Sequence, residues 1–144
     1  MDKDQRLRLI LVEDDQGHAV LIEKNLRRAG LASEIVRFAN GQEALDYIFG
    51  TIVGSGDEPV VPCVILLDLN LPEVDGCQVL QQLKSDPKTR RIPVVVLTTT
   101  ENPHEIKRCY DLGCNAYISK PVEYDQFSAV IKSLGQFLGY LKVP

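Results

Sequence analysis

The sequence predicts an α/β protein with a doubly wound, five-stranded parallel sheet and helices on both faces. Three observations predict it. Five short apolar runs stop abruptly at polar residues. Each is followed by a stretch with apolar residues at helical spacing. The central runs, Cys63–Leu67 and Ile92–Leu97, are unbroken rather than alternating, as expected of strands covered on both faces.

Leu7 to Val12 is the first run, halted by Glu13-Asp14-Asp15. Val20 to Arg28 continues as a helix with Leu21, Ile22, Leu26 and Ala29 inward, and Gly30 suits its end. Glu34 to Phe38 is β-branched enough for a second strand. Asn40-Gly41 then forms a turn or cap, and Ala44, Leu45, Ile48 and Phe49 mark a second helix. Gly50 to Pro62, rich in Gly, Pro and Val, reads as a loop. Cys63 to Leu67 is the third strand, ending at Asp68, and Gly76 to Lys84 the third helix, with Val79, Leu80 and Leu83 inward. Ile92 to Leu97 is the fourth strand, before Thr98-Thr99-Thr100. Pro103 to Leu112 is the fourth helix, opened by Asn102 as cap with Pro at the first helical position. Asn115 to Ser119 is the fifth strand, stopped by Lys120-Pro121, and a last helix begins near Glu123. Right-handed crossovers leave few topologies for this series, and the flavodoxin-like strand order 2-1-3-4-5 is expected.

A chain of 144 residues, 44% hydrophobic and 25% charged, fits a single domain with a proper core. The core is expected over about residues 7–134, with an apolar tail over about 135–144. A net charge of −4 argues against nucleic acid as partner, because phosphate backbones require clustered cations and Lys88-Thr89-Arg90-Arg91 is short. No apolar run reaches the roughly 20 residues that span a bilayer. The start, Met1 to Arg6, is polar and has no signal-peptide core. A cytoplasmic protein without membrane contact is therefore expected. Cys63, Cys77, Cys109 and Cys114 match neither CxxC nor a zinc spacing and read as reduced, buried, small apolar residues. His18 and His104 read as exposed polar residues near helix starts, and Gly54-Ser55-Gly56 lacks the rest of a phosphate loop.

In an open parallel sheet ligands bind beyond the carboxyl ends of the strands. Those ends carry Glu13, Asp14 and Asp15, then Asp68, then Thr98 and Thr99, then Lys120. Clustered carboxylates repel by roughly 4 kcal/mol per pair at about 4 Å and an effective dielectric of 20. A hard divalent cation and one ammonium offset that repulsion. Mg²⁺ suits the set, since it prefers oxygen and keeps waters that a phosphate oxygen replaces. Acids, a hydroxyl and an amine at one mouth are what phosphoryl transfer to a carboxylate requires.

The segments Leu11-Val12-Glu13-Asp14-Asp15, Leu66 to Gly76 (LLDLNLPEVDG), Pro93 to Thr98 and Tyr117-Ile118-Ser119-Lys120-Pro121 resemble the receiver domain of two-component response regulators. The resemblance runs from about Leu7 to Leu134. It implies that Asp68 is the phosphoacceptor, Asp14 a direct Mg²⁺ ligand, Glu13 a ligand through water, and the Asn70 backbone carbonyl the third protein ligand. It makes Thr98 the switch hydroxyl, Tyr117 the switch aromatic and Lys120 the partner of the phosphoryl group, and it implies a cis Lys120–Pro121 bond. Asp15 is left as a loop acid. Thr99 stands where the family usually has a very small residue and narrows access to the phosphoryl group. Thr100 stands where some fast-hydrolysing members carry an acid. Both bear on the lifetime of the phosphoryl group.

The resemblance implies a histidine kinase partner and a receiver that catalyses its own aspartyl phosphorylation and dephosphorylation rather than acting on other substrates. No output domain follows the last helix, so a protein contact, self-association or onward phosphorelay is the expected readout. The long loop Gly50–Pro62, the runs around Asp68 and Thr98, and the ending Phe137 to Pro144 are similar to stand-alone receivers that serve phytochrome-type light-sensing kinases. An aspartate-nucleophile phosphatase fits less well, because such enzymes place a second acid where this chain has Asn70. A module that has lost phosphorylation fits less well because every needed residue is present. In the last helix Phe127, Val130, Ile131, Leu134, Leu138 and Leu141 form one apolar stripe. Phe137 and Tyr140 fall beside it and Val143 extends it, so a homodimer through this end is expected.

Overall fold

The computed structural model describes residues 7–56, 59 and 61–143. The polar start Met1–Arg6, parts of the Gly50–Pro62 loop and Pro144 lie outside the described residues. Five strands, β1 (Arg8–Val12), β2 (Glu34–Phe38), β3 (Cys63–Leu67), β4 (Val94–Thr98) and β5 (Ala116–Ser119), form one sheet in the order β2-β1-β3-β4-β5. Every neighbouring pair is parallel, with Val12 opposite Phe38 on one side and Leu67 on the other. The helices are α1 (Gln16–Arg28), α2 (Gly41–Tyr47), α3 (Gly76–Ser85), α4 (Pro103–Leu112) and α5 (Tyr124–Tyr140).

The alternation of side chains along each strand divides the core in two. Ile10, Val12, Ile65 and Leu67 face α2 and α3, packing with Leu45, Val79, Leu80 and Cys109. Leu9, Leu11, Val64 and Leu66 face α1 and α5, packing with Ile22, Leu26, Phe127 and Ile131. β3 and β4 are buried along their whole length, which is why their sequences read as unbroken apolar runs. α5 lies so close to α1 that a Cβ on Gly135 would meet the Ala29 Cβ at 2.8 Å. Asn25, buried between these helices, donates to Leu21 O and Ser128 Oγ, so its amide is not left unpaired.

Several elements differ from the sequence expectation. α1 begins at Gln16, four residues before its apolar spacing starts, because Asp15 Oδ1 accepts the His18 backbone N–H at 3.0 Å. Asp15 is thus the helix cap and not merely a loop acid. The helix after Asn40 does not stop at Gly50. It continues as a π-helical turn, Ile48–Val53, which packs Ile48 and Ile52 into the core and buries Val53. The Lys120–Pro121 bond, expected to be cis, is trans, as is every peptide bond among the described residues. The energy separating the two forms before proline is only about 0.5–1 kcal/mol, too little for the dipeptide itself to fix the isomer. At the chain end, Leu141 and Val143 fold back and pack with Leu7 on the α1/α5 layer, so Val143 does not extend an exposed tail. Phe137 and Tyr140 stay outside, 57% and 85% exposed.

Candidate functional site

The β1, β3, β4 and β5 ends converge because the sheet is parallel, and their next residues share one pocket. Lys120, the residue after β5, is buried, and its Nζ donates to Glu13 Oε1 at 2.5 Å and to Asp68 Oδ2 at 3.0 Å. Glu13 and Asp68 are buried as well, whereas Asp14 is exposed. Carboxylate oxygens of Glu13, Asp14 and Asp68 all lie within 4.8 Å of one another. Three acids against one ammonium leave the pocket negative. Burial, and then the charge of Asp68, raise the Glu13 carboxyl above its ordinary range, while the Lys120 contact opposes the shift.

Local backbone contacts hold these side chains in place. Asp68 Oδ1 accepts the Asn70 backbone N–H at 3.1 Å, and Glu13 Oε2 accepts that of Asp15 at 3.2 Å. Behind Asp68, the start of α3 presses directly on the end of β3. A Cβ on Gly76 would fall 2.3 Å from the Asp68 carbonyl oxygen, so only glycine permits this approach. Gly76 N donates to Leu69 O, and an Asp75–Gln78 capping box starts the helix there.

Thr98, the last residue of β4, is fully buried, and its Oγ1 has no hydrogen-bond partner among the described residues. A buried hydroxyl without a partner costs about 1–3 kcal/mol and is rare in a native core. Thr99 is exposed and Thr100 half-buried. The Tyr117 hydroxyl donates to Thr100 O at 2.7 Å, which ties the middle of β5 to the loop after β4. The structure therefore brings Glu13, Asp14, Asp68 and Lys120 together, with Asn70 bound through its backbone. Phe137 and Tyr140 belong to a separate surface.

Two contributors escaped the sequence reading. His18, expected to be exposed, is half-buried, and Lys120 Nζ donates to its Nδ1 at 3.2 Å. An ammonium has no acceptor, so Nδ1 is the accepting nitrogen and Nε2 carries the hydrogen. The ring also meets Phe127 edge-on, with centroids 5.7 Å apart. The Asp15 cap fixes this placement, and an acid three residues before the histidine was its only sequence trace. Arg37, on β2, donates to the carbonyls of Glu13 (3.0 Å) and Asp14 (3.3 Å) and so secures the acidic loop from its far side. A cation inside a β-branched strand was the signal for it.

The donor set suits a hard divalent cation: it offers only oxygens, and one of its acids is open to solvent. The unpaired Thr98 hydroxyl and the buried ammonium suit an anionic group beside Asp68.

Comparison with known proteins points to one family. The family model of the response regulator receiver domain matches residues 9–132. A response regulator receiver domain from Rhodospirillum rubrum has a TM-score of 0.89 and 50% identity, over 95% of this chain and 96% of that one. The phosphorylated cyanobacterial phytochrome response regulator RcpA has a TM-score of 0.82 and 37% identity, over 96% and 99%. Response regulator Rcp1 of Synechocystis is 32% identical over 90% of this chain and 86% of its own. Its Mn²⁺-bound structure has a TM-score of 0.84 and 29% identity, over 96% and 99%. No described helix is long and apolar enough to cross a membrane.

Proposed function

The chain belongs to the response regulator receiver domain family, and from that premise we propose that it accepts a phosphoryl group from a histidine kinase onto Asp68. The observation that carries this reading is the buried Lys120 ammonium held between Glu13 and Asp68, beside the unpaired Thr98 hydroxyl. Asp68 is the nucleophile: a carboxylate oxygen forms the new bond to phosphorus while the bond from phosphorus to the kinase's histidine nitrogen breaks. The nitrogen keeps the electron pair. Lys120 Nζ and Thr98 Oγ1 then take phosphoryl oxygens, one by charge and one by hydrogen bond. Asp14, Asp68 and the Asn70 carbonyl would hold Mg²⁺ directly and Glu13 through water. When bound, the ion supplies neutralisation of the negative charge gathered at the carboxylates and phosphoryl oxygens. His18 positions Lys120 by accepting from its Nζ.

Phosphorylation acts only if the active arrangement binds the new dianion better than the inactive one. Thr98 is drawn to the phosphoryl group, Tyr117 leaves Thr100 and moves into the space behind Thr98, and the surface formed by β4, β5 and α4 changes. Hydrolysis of the acyl phosphate, with Thr99 and Thr100 at the mouth, returns the chain to rest. The similarity to Rcp1 and RcpA favours a phytochrome-type kinase, and a net charge of −4 weighs against nucleic acid as partner. The test is phosphotransfer from an autophosphorylated phytochrome-type kinase. The parent should take the label and Asp68→Asn should not. Label retained on the kinase with the parent present would refute the partner, and label on Asp68→Asn would refute the residue.

The same reading includes a homodimer. Phe137 stands at the rim of an open apolar groove of about 520 Å³, lined with Val95, Ala116, Ile118, Val130 and Leu134. A second copy, bound about a two-fold axis, covers both grooves with the same residues.

A further inference from the structure

Away from the acidic pocket, two thiols and a carboxylate converge between α3 and α4. Cys77 lies in the first turn of α3 and Glu105 in the first turn of α4, with Cys109 four residues on along the same helix face. Cys77 Sγ donates to Glu105 Oε1 at 3.1 Å. Both sulfurs and a Glu105 oxygen lie within 4.8 Å of one another. The thiols are buried and Glu105 is half-buried, with one carboxylate oxygen accepting from the Cys77 thiol. Thiols alone account for packing as small apolar side chains, but they do not account for an acid turned toward them.

We propose that Cys77, Glu105 and Cys109 form a site for a thiophilic divalent cation of the zinc class, which ties α3 to α4. The donors are two sulfurs and one oxygen, and zinc sites take these types at about 2.3 and 2.0–2.2 Å. Ligand atoms less than 4.8 Å apart need little rearrangement to meet such an ion. A water completes the tetrahedron from the side where Glu105 meets solvent. Each thiol releases its proton to water, each sulfur donates a lone pair, and no oxidation state changes. Arg108, whose charge reaches both thiols, offsets the remaining negative charge. Because α4 follows the strand that ends in Thr98, an ion here also restrains the rearrangement of α4, a consequence that rests on the function proposed above.

The test uses the full chain, reduced with a phosphine, stripped of metal and titrated with Co²⁺ in competition with Zn²⁺. One Co²⁺ per chain should produce a sulfur-to-cobalt charge-transfer band, and Zn²⁺ should bleach it. The band should vanish in Cys77→Ser and in Cys109→Ser and persist in Asp14→Ala. Affinity should fall by about tenfold or more in Glu105→Gln, at least the loss seen when an outer-shell partner is removed. Absence of the band, its survival in both cysteine variants, or its loss in Asp14→Ala would overturn the site. Should the cysteine variants fail to fold, Glu105→Gln decides: unchanged affinity in a folded protein overturns the proposal. None of these readouts needs a phosphoryl group, so failure of phosphorylation leaves the result intact.

Discussion

Replacing Lys120 with Met, a side chain of similar length without the charge, removes the ammonium from between two buried carboxylates. In the parent its Nζ lies 2.5 Å from Glu13 and 3.0 Å from Asp68, and the three side chains are almost fully buried. Without it, two carboxylates with oxygens within 4.8 Å repel, by roughly 4 kcal/mol for unit charges at about 4 Å and an effective dielectric of 20. Removing one partner of a buried ion pair costs about 3–5 kcal/mol on the same scale. Proton uptake by Glu13, whose carboxyl is already raised, sets the upper limit. At about 2–4 °C per kcal/mol for a chain near this size, Tm should fall by about 6–20 °C in the presence of a chelator. Mg²⁺ restores positive charge to the pocket, so the gap between parent and variant should shrink to less than half. Thermal unfolding followed by circular dichroism, with EDTA and then with Mg²⁺, measures both gaps. A variant within about 1 kcal/mol of the parent in EDTA, or a gap that Mg²⁺ leaves unchanged, would show that Lys120 does not hold the two acids together by charge.

Asp14→Ala should weaken Mg²⁺ binding by about tenfold or more in calorimetric titration, while Glu13→Gln, whose carboxylate is engaged by Lys120, should lose less; equal affinities for both variants and the parent would count against the site. Thr98→Val exchanges an unpaired buried hydroxyl for a methyl group, so it should raise stability by about 1 kcal/mol while removing the response of the β4–β5 surface to phosphorylation. Urea unfolding and amide exchange read the two effects, and a destabilised variant would show that the hydroxyl has a partner. Phe137→Asp with Tyr140→Ala should convert a dimeric parent to monomers in light scattering without lowering Tm, because both side chains are exposed. A monomeric parent at tens of micromolar, or a dimeric variant, places the interface elsewhere or abolishes it.

Much of the fold could be read because each strand's burial is written into its composition. Cys63–Leu67 carries five consecutive apolar residues since both faces of β3 are covered. Helix α4 runs from Pro103 to Leu112 as expected, and Asn102 and Pro103 mark its start without tertiary information. What was missed depends on the third dimension. The polar Gln16-Gly17-His18 has no periodicity, yet the Asp15 cap makes it helical. Gly50 and Gly54 read as breakers, yet burial of Ile52 and Val53 draws the intervening residues into a π-helical turn. The site acids and Lys120 were legible because strand ends in a parallel sheet must meet. His18 and Arg37 were not, since one meets the pocket only through Lys120, far along the chain, and the other acts on backbone carbonyls. The fold-back of Leu141 and Val143 also had no sequence marker, because an apolar tail reads alike whether it packs on its own domain or on another.

Phosphorylation of Asp68 is measured by incubating the full chain with acetyl phosphate and Mg²⁺, then recording intact mass and mapping the adduct by borohydride trapping of the acyl phosphate. One phosphoryl group per chain is expected, located on Asp68, dependent on Mg²⁺, and absent from an Asp68→Asn variant that remains folded. A label on another residue, a label that persists in Asp68→Asn, or a parent that stays unlabelled with Mg²⁺ present would contradict Asp68 as the phosphoacceptor.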